Sequence, residues 1–115
     1  MKLVVIGLGQ CGGRIADEFA RLNRQAISQR GIEIVNSAFA VNTDIADLSG
    51  LRRVRPDFQH RILIGDRKTG GHGVGKINEL GAEVAKEDAD KVIEAISASK
   101  KLPEADAFLL VAGAG

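Results

Sequence analysis

Apolar residues fall along the chain in two rhythms, one of strands and one of helices. Leu3, Val4, Val5 and Ile6 form an unbroken run whose β-branched members favour a strand buried on both faces. Ile15, Phe19 and Leu22 then recur at i, i+4 and i+7, with Ala16 and Ala20 beside them, which predicts a helix with one apolar stripe. Residues 24–31 are polar and close on Gly31, the pattern of a connection. A second strand follows in two pieces, 32–35 and 38–41, and ends on Asn42, Thr43 and Asp44. The stretch 45–60 is mixed, basic at Arg52, Arg53 and Arg55, and reads as a surface excursion. Residues 61–65 give a short third strand. A helical pattern starts near Asn78, a good N-cap, and carries Leu80, Val84 and Ala85 on one face. Asp88 is placed to cap a further helix carrying Val92, Ile93 and Ile96, and a last strand runs from about Ala107 to Ala112.

Three of these strands open into loops of small residues. Gly7 to Gly13 follows the first, Gly70 to Gly75 the third, and Gly113 to Gly115 the fourth. Strands joined by helical crossovers run parallel, so the expected class is α/β, a three-layer Rossmann-like sheet with four strands in the order 3-2-1-4. All three loops then lie at one edge of the sheet. In such sheets the ligand crevice forms at the carboxyl ends of the strands, where the strand order reverses, here between strands 1 and 4.

Gly7-Leu8-Gly9-Gln10-Cys11-Gly12 satisfies G-x-G-x-x-G between a strand and a helix. Glycines there permit a tight turn and a close approach of backbone to phosphate, and the first helical N–H groups point at the anion. A dinucleotide site also needs an acidic residue about 20 positions on, at the end of the second strand. Here that strand ends later, at Asn42, with Asp44 just beyond, so the dinucleotide fit is poor. Gly70-x4-Gly75-Lys76 satisfies the first part of a P-loop, but Ile77 stands where Ser or Thr would ligate magnesium. Three loops of N–H donors suit a long anionic tail, because each bond to an ionised oxygen contributes on the order of 1.5–3 kcal/mol. A nucleoside triphosphate is the leading ligand. A nicotinamide-dependent oxidoreductase of Rossmann type and a module that holds nucleotide without turning it over are the alternatives.

Composition narrows the partners. The 115 residues make one small domain at most, 44% apolar and 27% charged, with net charge +1. That balance gives no electrostatic reason to expect nucleic acid, and four Phe without Trp or Tyr make a base-stacking platform improbable. The run 3–6 is far too short to insert in a membrane, and a single cysteine fits a reducing, cytoplasmic setting.

The stretches "GQCGGRIADEF", "FAVNTDIADL", "ILIGDRKTGGHGVGKINELGAEVAKED" and "DAFLLVAGAG" together resemble the N-terminal half of the FtsZ/tubulin superfamily, with archaeal CetZ-like tubulin homologues as the branch most similar. The resemblance runs from Met1 to Gly115 with the motifs in matching order. It implies binding of GTP and GDP with magnesium. Gly9, Gln10, Cys11, Gly12, Gly13 and Arg14 correspond to its first phosphate loop. Asn42, Thr43 and Asp44 correspond to a second loop near the magnesium, which is held by phosphates and water. Gly71, Gly73, Val74 and Gly75 correspond to a loop that senses the γ-phosphate. Ala112, Gly113, Ala114 and Gly115 lead toward the family's glycine signature, before which residues 1–115 stop, so the expected domain is the N-terminal part of a GTP-binding unit. The resemblance further implies head-to-tail homopolymers, with GTP hydrolysis where a neighbouring subunit supplies acidic residues, and a role in cell shape. No catalytic acid set is visible, and the 115 residues alone are expected to have no GTPase activity.

The remaining polar residues have plainer readings. Cys11 reads as a small residue lining the phosphate loop rather than a nucleophile, and His60 as an ordinary residue ahead of a strand. His72 is either a phosphate contact or a loop tip. Arg52, Arg53 and Arg55 make a solvated basic patch, and Glu79 and Glu83 are helix-surface charges. Arg14 stands open between a phosphate contact and a solvent-facing neighbour of Asp17 and Glu18.

Overall fold

The computed structural model describes residues 2–65 and 89–112. Four parallel strands, β1 (Leu3–Leu8), β2 (Val35–Asn42), β3 (Arg61–Leu63) and β4 (Ala107–Ala112), form one sheet in the order β3-β2-β1-β4. The expected topology is therefore present. Val4, Ile6, Phe39, Val41 and Ile62 pack on one face, against Val92, Ala95 and Ile96 of a helical segment at 89–97, here called α3. Val5, Ala16 and Val35 pack on the other, beneath α1 (Gly9–Arg30), with Phe19, Leu109 and Val111 closing over them. The helix expected from Asn78 lies outside the described residues.

Several boundaries differ from the sequence reading, each for a local reason. The first glycine run is not an extended loop: β1 continues through Gly7 and Leu8, and α1 starts at Gly9. Residues 24–30 are not a connection but the last two turns of α1. Gln25, Ala26, Gln29 and Arg30 are good helix formers, and the segment is mostly polar because these turns extend into solvent. Gly31 at φ 66° ends the helix, its N–H donating to the Ile27 carbonyl at 2.9 Å and the Ile32 N–H to the Ala26 carbonyl at 3.4 Å.

The second strand is one piece rather than two and starts at Val35. Ile32 and Ile34 stay outside it, 49% and 45% exposed. Asn23 of α1 fixes that start: its Oδ1 accepts from Ile34 N–H at 2.8 Å and Val35 N–H at 2.9 Å, and its Nδ2 donates to the Val35 carbonyl.

The 45–60 stretch is more than a surface excursion. Asp44 caps a short helix, α2 (Ile45–Ser49), and Leu48, Leu51 and Val54 are buried against Ala40. Its apolar residues are spaced irregularly, so they follow no single period although they form one small core. Arg61 holds this segment from within, its guanidinium donating to the Leu48, Leu51 and Val54 carbonyls. β3 is correspondingly short, ending at Leu63 rather than 65.

Candidate functional site

At the carboxyl edge of the sheet, Leu8 lies level with Val41 of β2 and Ala112 of β4. Gly9, at φ 76°, turns the chain there into α1 within a single residue. Two glycines let the helix settle on the sheet immediately after that turn. A Cβ on Gly7 would come within 2.1 Å of the Gly12 carbonyl oxygen, and one on Gly12 within 2.4 Å of the Val111 carbonyl oxygen. The third glycine of the motif thus serves close helix–strand packing, as that pattern requires. Gly13 has more room, with the Ala40 methyl 3.8 Å from where its Cβ would be.

The start of α1 is bare. Its N-cap, Leu8, offers no side-chain hydrogen bond, and the first turn holds no acidic residue. The leading N–H groups of a 22-residue helix, with its positive dipole end, therefore face the sheet edge with no side-chain cap among the described residues. Gln10, Cys11 and Arg14 are exposed around this turn, while Gly12 and Gly13 are buried on the sheet. Arg14 has no ion-pair partner among the described residues. Glu18 pairs with Arg21 instead, and Asp17 is engaged by backbone.

The end of β2 is braced rather than bare. Asn42 is buried, and its Oδ1 accepts from Asp44 N–H at 3.0 Å while its Nδ2 donates to Asp47 at 3.2 Å. Asp44 Oδ1 accepts from Ala46 N–H at 2.8 Å and, more weakly, from Asp47 N–H at 3.4 Å. Asn42 and Asp44 thus first hold the turn and cap α2. Thr43 lies beside them on a cleft of about 490 Å³ that also meets Leu8, Gly9 and Ile64. A smaller groove on the other flank, about 250 Å³, brings Gln10 and Arg14 to Asp47 and Arg52. The sequence reading thus placed Gly9 to Arg14 and 42–44 at one edge, and the structure brings them together there. Ala112 stands level with Leu8 at that edge. Gly71, Gly73, Val74, Gly75, Gly113, Ala114 and Gly115 lie outside the described residues.

Sequence reasoning missed the side chains that fix this edge. Asp17, two turns into α1, accepts three backbone N–H groups of the segment after α2: Arg52 at 3.2 Å, Arg53 at 2.6 Å and Val54 at 2.8 Å. Partial burial opposes its ionisation, but the N–H groups of Val54, Arg53 and Arg52, with the Arg61 charge behind them, outweigh that and hold its carboxyl below the ordinary value. Lys91 of α3 donates to the Leu63 carbonyl. A carboxylate on a helix and a lysine near a strand end leave no periodic trace in sequence.

Among the described residues no group of three or more His, Cys, Asp or Glu could hold a metal ion. Nor is any described helix long and apolar enough to cross a membrane.

The family model for the Tubulin/FtsZ family, GTPase domain, matches residues 2–115. The tubulin-like protein CetZ1 of Haloferax volcanii is 49% identical over all 115 residues, and the tubulin-like protein CetZ of Pyrococcus furiosus 36%. The chain spans 27% and 28% of those proteins' lengths, respectively. Among solved structures, CetZ1 from Haloferax volcanii, a GDP-bound monomer, superposes with a TM-score of 0.84 at 46% identity, covering 98% of this chain and 32% of that one. An FtsZ mutant from M. jannaschii gives a TM-score of 0.64 at 28% identity over 97% of this chain and 28% of its own.

Proposed function

The chain belongs to the Tubulin/FtsZ family, within its GTPase domain, and on that premise we propose that it binds the phosphates of GTP and GDP at the carboxyl edge of its sheet. The observation that carries this is the start of α1: N–H groups with no side-chain cap among the described residues, no acid in the first turn, and Gly12 packed so tightly against Gly7 of β1 and Val111 of β4 that the helix end is held at the sheet edge. A phosphate chain is the ligand that such an end stabilises best. Arg14, unpaired among the described residues and beside this turn, adds a cation of the right sign. The relative solved as a GDP-bound monomer supports the guanine nucleotide as the class.

The donor set suits a magnesium ion held mainly by phosphate and water. Asp44 commits Oδ1 to capping α2, which leaves its second oxygen and the Thr43 hydroxyl as the protein groups nearest to hand. Such an ion would neutralise phosphate charge. Gly71, Gly73, Val74 and Gly75, with Ala112, Gly113, Ala114 and Gly115, complete the phosphate contacts in this proposal. Residues 1–115 form the N-terminal part of the nucleotide domain, and the whole protein assembles head-to-tail in the cytoplasm with hydrolysis at the subunit contact, which serves cell shape. A heterologous contact that repeats without closing gives a filament.

The test is calorimetric titration of the full-length protein with GTP, GDP and NADH in magnesium. Binding of both guanine nucleotides with no heat from NADH is expected, followed by GTP-dependent light scattering as filaments form. NADH binding with indifference to GTP would sink the proposal. Residues 1–115 alone are expected to show no steady-state GTP turnover.

A further inference from the structure

β2 is longer than the strand beside it. β3 pairs only with Ala40, Val41 and Asn42, and on that side the Ala40 N–H donates to the His60 carbonyl at 2.8 Å. Strand backbone repeats with period two, so Ala38 presents its N–H and C=O to the same side as Ala40. No strand lies opposite it among the described residues. This open edge forms one wall of a cavity of about 610 Å³. The cavity lies at the amino end of the sheet, away from the edge that carries the phosphate-facing turn.

The cavity is strongly cationic in a chain of net charge +1. Arg24, Arg53, Arg55, Lys100 and Lys101 line it, and Glu33 is the one acid among the described lining residues. Glu33 is already shared between Lys101 at 3.6 Å and Lys2 at 3.7 Å. The side chains of Arg24, Arg53 and Lys100 have no ion pair or hydrogen bond among the described residues. Arg53 and Arg55 feel the nearby Glu18 and Asp57 carboxylates without forming ion pairs with them, and the excess of positive charge beside this strand edge favours an anionic occupant.

We propose that this groove docks an extended acidic segment of a partner protein, which adds to β2 at Ala38 and sets its carboxylates against Arg24, Arg53, Arg55 and Lys100. The edge supplies main-chain hydrogen bonds, and the cations supply sign and orientation. A nucleic acid fits less well. His60, the one ring among the described lining residues, is stacked on Phe39 with centroids 5.0 Å apart and is buried, so it offers a base little stacking surface.

The experiment titrates the full-length protein with a short capped peptide of alternating Glu and Val, following both affinity and the amide signal of Ala38. One-to-one binding is expected, with slowed exchange of the Ala38 amide and weakening in added salt. The double variant Arg53→Gln, Arg55→Gln should weaken binding about tenfold, and Lys100→Gln serves if the double variant folds poorly. The matching Lys–Val peptide should not bind. The proposal is overturned by absence of binding at millimolar peptide, by equal binding to the variants, by an unchanged Ala38 amide, or by displacement of the peptide by a single-stranded oligonucleotide.

Discussion

The carboxylate of Asp17 lies 2.8 Å from the backbone N–H of Val54, which ties the helix that begins at the phosphate edge to the segment after α2. The same oxygen takes the Arg53 N–H at 2.6 Å, and Arg52 donates to both oxygens at 3.2 Å. One side chain therefore satisfies three consecutive donors that no strand or helix would otherwise use. Removing it leaves these donors to water. Asp17 is partly exposed, so the Asp17→Ala variant should lose about 1–2 kcal/mol of stability. Asp17→Asn keeps an accepting oxygen and should lose less, and urea unfolding of both variants tests the order.

The same contact sets a pH dependence. The folded state holds the Asp17 carboxyl below its ordinary value, so its contribution is fully present above about pH 4–5 and is lost as pH falls through the folded value. Asp57 acts in the same direction. Burial opposes its charge, but hydrogen bonds from the His60 ring and backbone prevail. Stability should therefore be nearly flat from pH 7 to about 5 and fall steeply below about 4. The Asp17→Asn variant should show a shallower acid limb. An identical limb in that variant would remove Asp17 from the account.

Arg61 completes the staple from the interior, with three carbonyls on one guanidinium. A lysine carries the charge but not the planar fork, and it cannot reach the Leu48, Leu51 and Val54 carbonyls at once. Arg61→Lys is therefore expected to cost about 1–2 kcal/mol and Arg61→Met about 2–3. Equal midpoints for Arg61→Lys and the parent in urea would show that charge alone suffices.

The parts of the fold written in periodic apolar runs were legible in the sequence. Val4, Val5 and Ile6 announce a buried strand, the Ile15, Phe19 and Leu22 stripe announces α1, and parallel crossovers lead to the observed order β3-β2-β1-β4. The glycine motif was legible as chemistry but not as geometry: its close-packing role depends on the Val111 carbonyl, which arrives from a strand some hundred residues away. The last turns of α1 were illegible because their polarity comes from projecting past the sheet. The small core around Leu48, Leu51 and Val54 was hidden for a related reason. Its side chains converge from an irregular segment held by Asp17 and Arg61, polar residues whose partners are backbone groups and carry no sequence identity.

Gly12 and Gly13 are adjacent in sequence but should respond oppositely to the same methyl group. At Gly12 the added Cβ meets a strand carbonyl at 2.4 Å, and backbone on both sides cannot rotate away. Gly12→Ala should destabilise by about 2–3 kcal/mol or more and shift the start of α1 off the sheet. At Gly13 the nearest atom is 3.8 Å away, an ordinary contact, and Ala is the better helix former by about 1 kcal/mol. Gly13→Ala should leave stability unchanged or slightly raised. Thermal unfolding of the two variants side by side tests this, and equal losses would contradict the packing described for the first turn.

Cys11 gives the most direct chemical readout of the proposed phosphate site. Its side chain is exposed in the first turn of α1, and it is the one cysteine of the chain. A phosphate held by the N–H groups of that turn would cover the sulfur and add negative charge beside it. Covering the sulfur slows its attack on an alkylating reagent. Alkylation of the full-length protein by iodoacetamide should thus slow several-fold when GDP saturates it, and NADH at equal concentration should leave the rate unchanged. Mass spectrometry of the modified peptide locates the reaction at Cys11 even if other cysteines occur elsewhere in the protein. An unchanged rate under saturating GDP would mean that the nucleotide sits away from this turn, and the functional proposal would then have lost the observation that carries it.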